Sequence, residues 1–223
     1  MAEKQSPLSN KILILGLIIV VASIASYPLF KKEMRLRIYS PADVNPELVD
    51  ETMQKMKGEH LIADFNLTNQ DGQQITKKDV EGKIYVADFF FTTCGNICPK
   101  MAFQMERINE FYKDDQDIMF VSHSVTPEID SVPTLKKYAI EHNAIAPKWQ
   151  LLTGDKDHIY ELARKSYFSA KIDWKGDLGD FIHTENFCLI DKEGRIRGYY
   201  DGTNTDDVNT LIKEIKILKA EYK

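Results

Sequence analysis

Cys94 and Cys98 stand four positions apart in Cys94-Gly95-Asn96-Ile97-Cys98-Pro99, directly after the apolar run 84–91. The chain holds three cysteines, and this spacing lets two of the sulfurs converge from a single turn of chain. They can close a disulfide or grip one soft metal ion. His183 lies far along the chain, immediately before a second apolar stretch at 186–191. Two thiolates and one imidazole suit Cu(I) or Cu(II), and Zn(II) accepts the same donors.

The spacing also says what the pair is for. Two cysteines four apart on a helical turn have α-carbons about 6 Å apart, inside the range a disulfide tolerates. As a staple the bond is weak: so short a loop stabilises by only about 2 kcal/mol. A helix N-terminus beneath the sulfurs places partial positive charge near them and favours thiolate, the form that attacks and binds metals. A reactive or metal-binding pair is therefore the expectation. His123, on the strand expected at 118–125, is a weaker candidate ligand, and His60, His142 and His158 are weaker still. Met101 and Met105 recur at helical spacing and read as core rather than as thioether donors. Cys188 alternates with apolar neighbours and reads as a small core residue.

These groups need elements to position them. Residues 60–76 read as a hairpin turning at Asp71-Gly72. The unbroken apolar run 83–91 reads as a strand covered on both faces. Pro99 suits the first position of a helix running to about Tyr112. A strand at 118–125, a helix at 132–142, a short strand at 149–152 and a helix at 157–165 follow. The loop 169–180 carries Trp174. A hairpin at 186–200 and a closing helix at 206–219 complete the chain. Alternating strand and helix imply a parallel central sheet, and the order is that of an α/β, thioredoxin-like fold with an added N-terminal hairpin. In such sheets function gathers at the C-terminal ends of the strands, where Cys94 and Cys98 fall.

Ahead of this lies one transmembrane helix, 12–30, uncharged and rich in Ile, Leu and Val. At a rise of about 1.5 Å per residue it spans about 28 Å, close to the thickness of a bilayer core. The expected organisation is a tail at 1–11, the anchor at 12–30, a polar linker at 31–59 and a thioredoxin-like domain at 60–223 that carries the thiol pair, which the resemblance below makes a copper-binding domain. Ser23-Ile24-Ala25 would suit a cleaved signal peptide, but Lys31 and Lys32 just past the run favour an anchor. The charges flanking the span lean toward a cytoplasmic domain. The thiol chemistry points instead to an oxidising compartment, and that argument is preferred. With no Arg-rich transit peptide ahead of the span, a bacterial inner-membrane protein with its domain in the periplasm is expected. The formal net charge is −5; the first 37 residues hold six basic and two acidic side chains, leaving 23 basic and 32 acidic in the rest, a net of −9. So acidic a domain argues against nucleic-acid binding.

At these residues the chain resembles the Sco (SenC) family of copper chaperones for cytochrome c oxidase. The resemblance rests on Phe90-Phe91-Thr92-Thr93-Cys94-Gly95-Asn96-Ile97-Cys98-Pro99-Lys100-Met101, on the stretch 121–130, and on His183 followed by Phe187-Cys188-Leu189-Ile190-Asp191-Lys192-Glu193-Gly194. It covers about residues 10–220. It implies that Cys94, Cys98 and His183 bind copper. It also implies a role in maturing the dinuclear copper centre of an oxidase, by copper delivery, thiol reduction or both. The partners implied are the oxidase's copper-binding subunit and another periplasmic copper chaperone. One departure is visible: the family's serine-x-aspartate-proline reads Ser124-Val125-Thr126-Pro127 here.

The expected class is therefore a metallochaperone rather than an enzyme. A membrane-tethered thiol-disulfide oxidoreductase is the alternative, with Cys94 and Cys98 as its redox pair, although such enzymes usually place two residues between the cysteines. A tethered redox or copper sensor would present the same site. The loop 169–182 with Trp174 is expected to act as a cover or docking surface beside His183.

Overall fold

The computed structural model describes residues 16–18, 20–21, 34–170 and 185–223. The chain forms two compact units, Met1–Arg35 and Leu36–Lys223. In the first, residues 16–18 and 20–21 are helical, and the rest of the expected anchor lies outside the described residues. Among the described residues no helix is long and apolar enough to cross a membrane.

The second unit is built on a seven-stranded sheet in the order β2-β1-β5-β4-β3-β6-β7. The strands are β1 (Asn66–Asn69), β2 (Gln74–Thr76), β3 (Ile84–Phe90), β4 (Ile118–Ser124), β5 (Trp149–Thr153), β6 (Asn186–Ile190) and β7 (Ile196–Asp201). Between them run α1 (Lys77–Val80), α2 (Ile97–Phe111), α3 (Val132–Glu141) and α4 (Lys156–Glu161), and α5 (Thr205–Ala220) closes the chain. β3, β4 and β5 are mutually parallel. The N-terminal hairpin joins antiparallel at β5, and the C-terminal hairpin joins antiparallel at β3. This is the expected α/β plan.

The sheet is covered on both faces, which is why β3 reads as one apolar run. Its even positions Ile84, Val86 and Phe90 join Met101, Met105 and Ile108 of α2, Leu135 of α3, and Leu211 and Ile215 of α5. Its odd positions Tyr85, Ala87 and Phe89 pack with Ile159 and Tyr160 of α4 and with Tyr167 and Phe168 beyond it. Met101, Met105 and Cys188 are all buried core residues, as their patterns imply.

Three boundaries differ from the sequence reading, each for a local reason. The first strand begins at Asn66 rather than near Leu61, because Leu61 bridges Arg195 and the Ile62 amide donates to the Gly194 carbonyl at 2.8 Å. The helix expected at 157–165 is α for its first part and then widens to a π turn over Leu162–Ser166. The stretch read as a linker is packed onto the domain from Leu36 onward. Leu48 and Val49 are buried in the α4-side core, and the Tyr39 amide bonds the Ile196 carbonyl at 2.9 Å. Arg197, itself buried, fastens this entry by donating to the carbonyls of Leu36 and Arg37 while pairing with Asp191 and Glu221.

Candidate metal centre

β3 ends at Phe90, and the chain turns at once. The Cys94 amide donates to the Phe91 carbonyl at 3.3 Å. α2 then starts at Ile97, two residues earlier than Pro99 suggests. Pro99 sits in the first turn, where its missing N–H has no intrahelical partner to lose. Cys98 therefore lies inside the first turn and Cys94 just ahead of it. Both are free thiols, Cys94 half-buried and Cys98 buried.

The two sulfurs live in different surroundings. Burial pushes the Cys94 thiol up, but the amides of Asn96, Cys98 and Ile97 outweigh it, so its pKa falls below the ordinary thiol value. One of those amides, that of Cys98, lies 3.4 Å from the Cys94 sulfur. The Cys98 thiol is pushed up to about 12, chiefly by burial, with Cys94 and Asp88 adding to it. A thiol that ionises more easily than usual thus stands beside one that ionises less easily. That arrangement can bind a soft cation through both sulfurs or exchange a disulfide through the outer one.

The sheet beneath holds a group that sequence reading passed over. Asp88 lies within the apolar run of β3 and is buried. The Ser122 hydroxyl donates to it at 2.5 Å, and the Trp149 indole N–H donates to Ser122 at 2.9 Å. Desolvation raises the Asp88 carboxyl to about 7, against the opposing Ser122 bond. On the other face, His123 is fully buried and stacked on Phe89 with ring centres 4.9 Å apart. Neither of its ring nitrogens has a hydrogen-bond partner among the described residues. Burial lowers its pKa to about 4. It faces the core cluster opposite the one that receives Cys98.

A second buried carboxylate, Asp130, accepts from Thr92 in the turn before Cys94 and from Ser124 and Thr126 at the end of β4. The signal for it was the scatter of hydroxyl residues Thr92, Thr93, Ser122, Ser124, Thr126 and Ser131, which no spacing rule joins to position 130.

His183 and Trp174 lie outside the described residues. Among the described residues no group of three His, Cys, Asp or Glu is arranged to hold a metal. Of the loop 169–182, Ser169 and Ala170 are described, and both are buried. Two of the weaker histidines have other partners. His60 Nε2 lies 2.8 Å from the Ser166 carbonyl, and His142 Nδ1 lies 2.6 Å from Glu106.

A family model described as SCO1/SenC matches residues 53–219. The chain belongs to the SCO1/SenC family. It is 31% identical over 157 residues to the SCO1 protein homolog of Bacillus subtilis, covering 70% of this chain and 81% of that one. A SCO1/SenC family lipoprotein from Bacillus anthracis superposes with a TM-score of 0.65 at 33% identity, over 74% of this chain and 98% of the other. BsSco, described with a disulfide switch and as a member of the Sco family of cytochrome c oxidase assembly proteins, gives 0.61 at 32% identity, over 73% and 96%. ScoI of Bradyrhizobium japonicum, solved with copper bound, gives 0.55 at 28% identity, over 69% and 98%. The Sco-type, thioredoxin-like α/β fold is thus shared along most of the compact unit.

Proposed function

We propose that this chain is a membrane-anchored copper metallochaperone that matures the dinuclear copper centre of a cytochrome c oxidase. Its ligands on this reading are Cys94, Cys98 and His183. The observation that carries it is the thiol pair, one sulfur easily ionised and one buried, at the β3–α2 junction of a family with a copper-bound member. Two thiolates suit Cu(I), and the imidazole of His183 would complete a set that also holds Cu(II). The partners proposed are the copper-bearing subunit of the oxidase and a periplasmic copper donor. Residues 12–30 would anchor the chain in a bacterial inner membrane with the domain in the periplasm. The lipoprotein relative supports a tethered placement. A topology reporter fused to the C-terminus tests the orientation.

The unequal thiols also favour a second reading, in which Cys94 and Cys98 reduce the oxidase's cysteines by disulfide exchange. An anaerobic copper titration of the reduced full chain in mild detergent, beside His183→Ala, separates the two. One tight equivalent, weakened for Cu(II) in the variant, supports the chaperone. Absence of tight copper, or binding indifferent to His183, overturns the three-residue site and leaves thiol exchange.

A further inference from the structure

We infer that Asp130 is a positioning residue that sets the geometry of the Cys94–Cys98 pair by holding the turn in front of it. The inference rests on reading those cysteines as the metal and redox pair.

Asp130 is wholly buried. A buried carboxylate is costly unless its oxygens are satisfied. Here the donors are three hydroxyls and one amide rather than a cation. Thr92 supplies two of them: its hydroxyl lies 2.5 Å from one carboxylate oxygen and its amide 3.3 Å from the other. Ser124 and Thr126 donate to that second oxygen at 2.6 and 3.0 Å. The Asp130 amide in turn donates to the Thr126 carbonyl at 2.8 Å. Ser124 is the last residue of β4, and the Val125 amide bonds the Phe90 carbonyl at 2.9 Å, extending the sheet to the point where β3 ends.

The carboxylate therefore ties the turn after β3 to the end of β4, in the centre of the sheet. That turn runs from Phe91 to Cys94, and Thr92 is its second residue. Holding that residue by both its amide and its side chain fixes the plane of the turn, and so the direction in which the Cys94 side chain leaves it. Disulfides and metal–sulfur bonds tolerate only a few tenths of an ångström in sulfur placement. Such pairs need support of this kind from neighbouring groups. A merely structural carboxylate could have been satisfied within its own loop. This one directs half of its bonds across the sheet to the turn that carries the thiol.

The test compares Thr92→Val, which removes one donor while keeping side-chain shape, with Asn69→Ala. The control breaks a buried hydrogen bond to Gln150 and those holding the β1–β2 turn, on a strand two away from β4. On the full chain, three quantities are measured: Cu(I) affinity by competition with a chromophoric chelator, the Cys94–Cys98 thiol-disulfide equilibrium in a glutathione buffer, and the urea unfolding midpoint. Thr92→Val is expected to weaken Cu(I) binding at least tenfold and to shift the glutathione equilibrium at least threefold. Asn69→Ala is expected to lower the urea midpoint as much while leaving both site measurements unchanged. Equal effects of the two variants at the site, or no effect of Thr92→Val there, would overturn the role of Asp130. Should the unaltered chain bind no copper tightly, the chaperone reading falls and the glutathione equilibrium alone decides the inference.

Discussion

Asp88 and His123 lie on opposite faces of neighbouring strands, and burial moves their pKa values in opposite directions. The Asp88 carboxyl rises from 3.8 to about 7. Between those values the folded chain keeps a proton that the unfolded chain has released, so stability falls as pH rises through the window. The His123 imidazole drops from 6.5 to about 4. Between those values the unfolded chain binds the proton and the folded chain does not, so stability rises with pH. At about 1.4 kcal/mol per unit, Asp88 removes about 4 kcal/mol across its window and His123 adds about 3 across its own. Over their shared range, roughly pH 4 to 6.5, the two slopes nearly cancel. Removing either should uncover the other. Asp88→Asn keeps an acceptor for the Ser122 hydroxyl, and its stability should rise relative to the unaltered chain by about 3 to 4 kcal/mol from pH 4 to 6.5. His123→Phe suits the aromatic set around it, and its stability should fall relative to the unaltered chain by about 3 kcal/mol over the same range. Other carboxylates titrate in all three proteins and drop out of the differences. Urea unfolding followed by far-ultraviolet circular dichroism, repeated at half-unit steps of pH, gives the profiles. Profiles of Asp88→Asn and the unaltered chain that run parallel would show that Asp88 is not held protonated, and the linkage argument would fail.

Further outcomes follow from the thiols, from the Arg197 cluster and from the core. Alkylation by iodoacetamide should reach Cys94 first, with a midpoint below the usual thiol value, while Cys98 stays unreactive until the chain unfolds; mass spectrometry of the labelled peptides reads the order. Arg197→Met should destabilise by about 3–5 kcal/mol, because Asp191 loses one of its two arginine partners and Glu221 its guanidinium, which a urea midpoint will show. Leu151→Ala, in the fully buried centre of β5, should cost about 2–5 kcal/mol without changing the alkylation order.

The parts of the fold that were legible are those governed by periodicity. The unbroken run of β3 and the stripe of Met101, Met105 and Ile108 each report burial directly, whereas β6, read as alternating, is buried at four consecutive positions because the sheet is covered on both faces. Cys94 and Cys98 were legible because chemistry and spacing coincide. Asp88 was hidden by its neighbours: one carboxylate in an apolar strand carries no sign that Ser122 will sit opposite it across a parallel pair. Asp130 was hidden by distance along the chain, since Thr92 meets it only after β3 and β4 have aligned. The packing of 36–59 was masked by polar composition, although the adjacent apolar pair Leu48 and Val49 marked where the segment turns inward. His183 lies in the stretch outside the described residues and stands on its spacing and the family resemblance.

The grip of Arg197 on Leu36 and Arg37 gives the domain a handle as well as a tip. Arg197 follows Ile196, which pairs with Ile190, and β6 runs antiparallel to β3 with Ile190 beside Tyr85. The chain is therefore seized near the Ile84 end of β3, while the thiols leave from the Phe90 end. The length of β3 separates the two by about 20 Å. A pull on the entry strand at Leu36 and Arg37 enters the sheet at one pole and is taken up by the Arg197 cluster before it reaches the other. The spacing of the sulfurs is thus set at the end of the sheet away from the one where the entry strand is fastened.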